Sequence, residues 1–160
     1  DAASTREAEA ILRSAGVPLL VHQPAYSLLN RGIEAELLPA LEELGVGCVI
    51  FSPLAQGVLT RKYLGGIPAE SRAATSRFLD QAAITPQVLK AVRRLDELAQ
   101  ARGQSLAQMA VAWTLRNPVV TSAIIGARNV QQLDETLAAL ENVAFSATEL
   151  AAIEQALAGV

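Results

Sequence analysis

A glycine turn that leads into a helix beside an arginine is the arrangement in this sequence best suited to hold a phosphate. Gly126-Ala127-Arg128-Asn129 follows an apolar run and precedes a helical pattern. Unpaired backbone N–H groups and the positive end of a helix dipole attract anions at such a place. Arg128 adds a forked, permanently charged donor. The same four residues also read as an ordinary strand-to-helix turn, with Asn129 as N-cap and Arg128 solvated. Phe51 closes a second apolar run, where it can stack on a flat heteroaromatic ring or serve as plain core. Ser52 and the backbone after it are available to a pyrophosphate. Gln23, just beyond a third run, offers an amide its paired donor and acceptor, or simply faces water.

Other chemistries find less support. His22, the single histidine, lacks a recognisable acid or base partner nearby. Cys48 sits inside an apolar run and reads as inert packing. A single cysteine permits neither an intrachain disulfide nor a cysteine-based zinc site, which fits a reducing compartment. No Ser-His-Asp order, metal-ligand cluster or paired-carboxylate site is legible, and the dinucleotide fingerprint GxGxxG is missing. A net charge of −3, with arginines scattered except for Arg93-Arg94 on a helix surface, argues against a nucleic-acid partner. No apolar run is long enough to span a bilayer, so no membrane partner is expected. The chain opens on Asp1 and a polar capping stretch rather than a signal peptide, so the expected location is cytoplasmic. The lack of an initiator Met points to a processed, excised or partial chain.

The elements that must position these residues are set by hydrophobic period and punctuation. Ser4-Thr5-Arg6-Glu7 reads as a capping box for a helix with Ala8, Ile11, Leu12 and Ala15 on one face and Gly16 as its stop. A buried strand is expected over 17–22, a helix over 36–44 ended by Gly45, and a second strand over 47–51 that runs into a loop at 52–57. Residues 65–84 carry no clean period and read as a long surface loop. Thr85-Pro86 opens a helix reaching to Gly103. Ser105 caps the next, which buries Met109, Ala112 and Trp113 and ends before Pro118. A third strand is expected over 119–125. A helix with Val130, Leu133, Leu137 and Leu140 on one side comes next, then a last one opened by the capping box Ser146-Ala147-Thr148-Glu149. With no internal repeat or linker, residues 1–160 form one domain.

Strands that alternate with amphipathic helices imply an α/β fold with a parallel sheet and right-handed crossovers. The strands are continuously apolar, so both faces of the sheet are expected to be covered. Three parallel strands cannot close a barrel, and a complete (β/α)8 barrel usually needs about 250 residues. The pattern therefore reads as the last part of something larger. Ligands meet parallel sheets at the carboxyl ends of the strands. In this chain those ends are the segments at Gln23, at Phe51 and at Gly126.

At those segments the sequence resembles the aldo-keto reductase family. The stretch from Val21-His22-Gln23-Pro24-Ala25-Tyr26 to Asn30-Arg31 is similar to the family's sixth barrel strand and the loop beyond it. Phe51-Ser52-Pro53-Leu54-Ala55-Gln56-Gly57 to Lys62-Tyr63 is similar to the seventh, and Ile125-Gly126-Ala127-Arg128-Asn129 to Leu133 to the eighth. The order is right and nearly the whole chain is covered, most closely in the branch of potassium-channel β subunits and bacterial L-glyceraldehyde 3-phosphate reductase. Gly66-Ile67-Pro68 and Ser71-Arg72 lean toward the latter.

The resemblance implies the C-terminal part, about strands 6–8 with their helices, of a (β/α)8 TIM barrel that binds NADPH/NADP+. It implies that Gln23 holds the nicotinamide carboxamide and that Phe51 stacks on the nicotinamide. Ser52, Pro53, Leu54, Ala55 and Gly57 then line the pyrophosphate, with Lys62 near the phosphates or their covering loop. Gly126, Arg128, Gln132 and Glu135 surround the adenosine and its 2′-phosphate, where family members often carry Asn at the position of Thr136. The reaction implied is reduction of a small carbonyl substrate by the pro-R hydride, with a tyrosine as proton donor tuned by a lysine and an aspartate. Those residues come from the family's first four strands, so the chain alone is expected to be inactive. A non-catalytic nucleotide-binding or regulatory half-barrel, or an inactive remnant, is the alternative. Open sheet edges also imply self-association.

Overall fold

The computed structural model describes residues 1–75 and 79–160. In chain order its elements are α1 (Ala2–Ser14), β1 (Val21–His22), α2 (Leu37–Leu44), β2 (Gly47–Phe51), α3 (Arg72–Thr75), α4 (Pro86–Ala101), α5 (Leu106–Leu115), β3 (Val120–Ile124), α6 (Val130–Leu137) and α7 (Ala147–Leu157). The three strands form one parallel sheet in the order β1-β2-β3. The architecture is thus α/β with an open parallel sheet.

Local punctuation explains most boundaries. Gly45 takes the left-handed conformation that ends α2, and Thr85 accepts from Val88 N with Pro86 at the first helical position of α4. Capping boxes of Ser105 with Gln108 and Ser146 with Glu149 open α5 and α7. Three expectations need correction. Helix α1 starts at Ala2, because the Asp1 carboxylate accepts from Ser4 N at 2.8 Å and caps the turn before Ser4 can. The first strand is shorter than 17–22: Pro18 has no N–H to give, and Leu20 contributes only its carbonyl, to Gly47 N at 2.9 Å. Within 65–84, α3 and a 3-10 turn over Gln81–Ala83 form, and Ala73, Leu79 and Ile84 are buried, so much of the stretch packs. Residues 76–78 of that stretch lie outside the described residues.

A bulge in the middle of the sheet decides what faces the strand ends. Cys48 pairs with Val120 but Val49 pairs with Ser122, which leaves Thr121 as an extra residue. Its Oγ1 accepts from Cys48 N at 3.2 Å, so the ladder donor is not orphaned. Gly47 makes room for this: a Cβ there would lie 3.2 Å from Thr121 Oγ1 and 3.3 Å from Leu20 O. Beyond the bulge, Phe51 and Ile124 are register partners on the same face.

Helix α2 lies against β2, α5 against β3, and α4 against both α5 and α7. Between them lies a core of Leu41, Cys48, Ile50, Leu95, Met109 and Trp113, all fully buried. The expectation that both faces of the sheet are covered does not hold among the described residues. Val21, Phe51 and Ile124 are exposed on the other face, because all the packed helices lie on one side. The flanking helices repeat this. Ala8 and Ile11 of α1, and Ala15 at its C-cap, point outward while Thr5 and Glu9 are buried. On α6 and the 3-10 turn after it, Val130 is 72% and Leu140 60% exposed, with Leu133 and Leu137 also exposed between them.

Candidate functional site

The carboxyl ends of β2 and β3 open into a groove of about 630 Å³. Its floor includes Phe51 and Ile124, its walls the loop after β2, and its far end the turn into α6. It gathers Phe51, Ser52, Pro53, Leu54, Gly57, Lys62, Gly126, Arg128 and Gln132. Three expected residues stand apart from it. Gln23 is exposed beyond β1, Ala55 lies in the 3-10 turn Ala55–Gly57, and the Glu135 carboxylate accepts from Gln131 Nε2 at 3.1 Å on the helix surface.

The loop after β2 reaches its shape by backbone strain. Ser52, Ala55 and Gln56 have φ of 57°, 46° and 60°, in the left-handed region, and only Gly57, at 96°, is a glycine. Each non-glycine residue held there costs roughly 1–2 kcal/mol. Several such residues in one loop mark a shape that is over-determined by its surroundings and concentrate at ligand sites. The loop is tied by its own bonds, with Ala55 N donating to Ser52 O at 2.9 Å and Leu59 N to Leu54 O at 3.1 Å. Thr60 Oγ1 donates to Gly57 O at 2.7 Å.

The turn into α6 is built differently. Asn129 caps the helix by accepting from Gln132 N at 2.8 Å, and the Gln132 side chain accepts from Arg128 N at 2.9 Å. This leaves the N–H groups of Val130 and Gln131, the first two helical positions, at the helix mouth. Gly126 has neither a positive φ nor any atom within 4 Å of where a Cβ would stand. Neither backbone conformation nor neighbouring side chains call for glycine here, and a Cβ would occupy open space.

The charges of the groove are of one sign. Among the described residues no carboxylate lines it, and its two cations, Lys62 and Arg128, have no acidic partner. Lys62 Nζ stands 5.7 Å from the Tyr63 ring. Cationic side chains, open N–H groups and a partly exposed aromatic ring suit an anionic, flat ligand. The phosphates of a dinucleotide fit this donor set, and the open side of Gly126 would admit their close approach.

Residues outside the groove are accounted for. His22 does have a partner: its Nδ1 lies 3.1 Å from Thr5 Oγ1, whose own proton goes to Asp1 O at 2.7 Å. Burial lowers its pKa below the ordinary value. Burial pushes the Cys48 thiol up to about 11, so it stays protonated. Among the described residues there is no metal-binding cluster and no helix long and apolar enough to cross a membrane. Sequence reasoning missed Gln56, Thr60 and Ile124 as groove residues. Ile124 stands on the groove face only because of the Thr121 bulge, which no local signal announces. Thr136 lines the groove with its hydroxyl turned back to Gln132 O at 2.8 Å.

A profile of the aldo/keto reductase family matches residues 1–158. The chain belongs to the aldo/keto reductase family. It is 48% identical over 159 residues to the L-glyceraldehyde 3-phosphate reductase of Escherichia coli (strain K12), covering 96% of this chain and 46% of that protein. It is 40% identical over 135 residues to a probable voltage-gated potassium channel subunit beta of Oryza sativa subsp. japonica, covering 82% of this chain and 41% of that protein. A Bacillus subtilis (strain 168) protein described as the uncharacterized oxidoreductase YrpG is 41% identical over 123 residues, 77% of this chain and 36% of that one. This aldo/keto reductase chain thus spans about half the length, or less, of the curated relatives it matches.

Proposed function

We propose that this chain, residues 1–160, forms the NADP(H)-holding part of an oxidoreductase that reduces small aldehydes or ketones to alcohols. In this reading its three strands are the last three of a (β/α)8 barrel, and the exposed face of Val21, Phe51 and Ile124 is the barrel interior. Bound NADPH supplies hydride to the carbonyl carbon. The residues of this chain bind and orient it. The loop 52–57 and Lys62 take the pyrophosphate, Phe51 and Gln23 take the nicotinamide end, and Gly126, Arg128 and Gln132 take the adenosine end with its 2′-phosphate. Glu135, turned to Gln131, is the weakest member of that set.

The observation that carries this reading is the one-signed groove. Two cations without acidic partners, two open helix N–H groups and the space beside Gly126 converge where the β2 and β3 ends meet. Calorimetric titration of the chain with NADPH and NADH tests it. NADPH should bind more tightly, by about tenfold or more if a charge-assisted contact to the 2′-phosphate is made. Equal affinity, or no binding of either, contradicts the reading. No turnover with glyceraldehyde or methylglyoxal is expected from the chain alone, since among the described residues no tyrosine, histidine or carboxyl group lines the groove.

A further inference from the structure

One half-buried polar cluster lies outside the groove and touches its frame. The Tyr26 hydroxyl donates to Glu34 Oε1 at 2.5 Å, and Arg116 reaches both, donating to the phenol oxygen at 3.0 Å and to Glu34 Oε1 at 3.2 Å. Arg31 donates through Nε and Nη2 to Glu34 Oε2 at 2.9 and 2.7 Å, and through Nη1 to the Glu154 carboxylate at 2.7 Å. The guanidiniums of Arg116 and Arg31 lie 3.7 and 5.2 Å from the Trp113 ring, against which Tyr26 also packs at 5.2 Å between centroids. Burial by itself would raise the Glu34 carboxyl, but the bonds from Arg31 and Tyr26 outweigh it and hold it below the ordinary range.

The cluster is wired to the groove through one stretch of backbone. Phe51 N donates to Pro24 O at 3.0 Å, and Tyr26 N donates to Phe51 O at 3.2 Å. Both backbone groups that Phe51 turns toward β1 are therefore held by residues 24 and 26, bridging Ala25. Gln23 is the residue before this clamp. Tyr26 is fully buried, so a shift of its side chain must be carried by the backbone at 24–26, and Phe51 is the next group along.

We infer that Glu34 is a positioning residue: through Tyr26 it sets where Phe51 stands at the nicotinamide end of the groove and where Gln23 stands beyond β1. This rests on the proposed function and adds to it. The adenosine end is built on the turn 126–129 and α6, with no bond to the cluster among the described residues. The two ends should then respond differently. Removing the Glu34 charge leaves Arg31 and Arg116 short of a carboxylate in a half-buried place, a cost that falls on the 24–26 segment rather than on α6.

Two variants of the chain, Glu34→Gln and Tyr26→Phe, test this by titration with NADPH and with adenosine 2′,5′-bisphosphate, which carries the adenosine end alone. Nicotinamide emission gives a second readout confined to the other end. NADPH affinity should fall about tenfold in both variants, because the contacts at the nicotinamide end are misplaced, with the bound nicotinamide emission altered. Affinity for the bisphosphate should stay within about twofold, which also certifies that the variants fold. Proportional weakening of both ligands would make Glu34 a merely structural residue and overturn the inference, as would no change in either. If the unaltered chain binds neither ligand, the proposed function fails, and this inference with it.

Discussion

Strand β2 turns Cys48 and Ile50 to one side of the sheet and Val49 and Phe51 to the other. On the first side exposure is 0% at both residues; on the second, Phe51 keeps 38% and its register partner Ile124 keeps 46%. The residue types are equally apolar, so composition does not decide which is buried. What decides it is that α2, α4, α5 and α7 all stand on one side. The same contrast separates the middle of the fold from its flanks, where α1 and α6 present Ile11 and the Val130–Leu140 stripe to solvent. The groove lies on the open side, so the surface that holds a ligand in our reading is also the one that lacks packing partners.

The comparison breaks most directly by mutation. Ile50→Ala should cost about 2–5 kcal/mol in denaturant unfolding, whereas Ile124→Ser should stay within about 0.5 kcal/mol. Comparable costs would mean that the open face is covered in solution. Self-association is the obvious cover, given that the outer edges of β1 and β3 are unpaired among the described residues. Light scattering should therefore show the chain associating, and Ile124→Lys should reduce this. A monodisperse monomer with well-protected strands would show that the strands pair in some other way.

The groove itself should respond at its charged end. Arg128→Ala should weaken NADPH by roughly tenfold to a hundredfold, the range of about 1.5–3 kcal/mol for one charge-assisted contact. NADH should change little. Equal weakening of both cofactors would show that Arg128 does not read the 2′-phosphate.

A smaller effect marks the packed side. The Glu34 carboxyl is held below its ordinary value, so the folded chain binds fewer protons than the unfolded one between the two. Its contribution to stability is whole above about pH 4.3 and is lost as the pH falls through the folded value. Glu34→Gln should thus be less stable at neutral pH yet lose less on acidification, as followed by Trp113 emission. Parallel acid curves for the two proteins would remove Glu34 from the account of stability.

How much of the molecule is legible in its sequence depends on range. The capping boxes at Ser105 and Ser146, the Thr85-Pro86 start, the Gly45 stop and the whole of β2 are local signals, and the structure obeys them. So do the glycine turn at 126 and the loop at 52–57, because both sit where an apolar run ends. The start of α1 differs from its capping-box signal because Asp1 competes with Ser4 for the same role. Which face of each strand and helix is covered depends on distant partners. So do the Thr121 bulge that brings Ile124 beside Phe51, and the network joining Tyr26 and Glu34 to Arg116. The branch resemblance is legible because its three motifs carry the strand ends in order.

Hydrogen exchange of the chain with and without NADPH tests the central claim most directly. If the groove at the β2 and β3 ends is the cofactor site, amides in 52–57 and those of Val130 and Gln131 should slow on binding, while α7 and the α4–α5 turn stay unchanged. Binding that leaves these amides as they were, or that protects another part of the chain instead, would contradict the account.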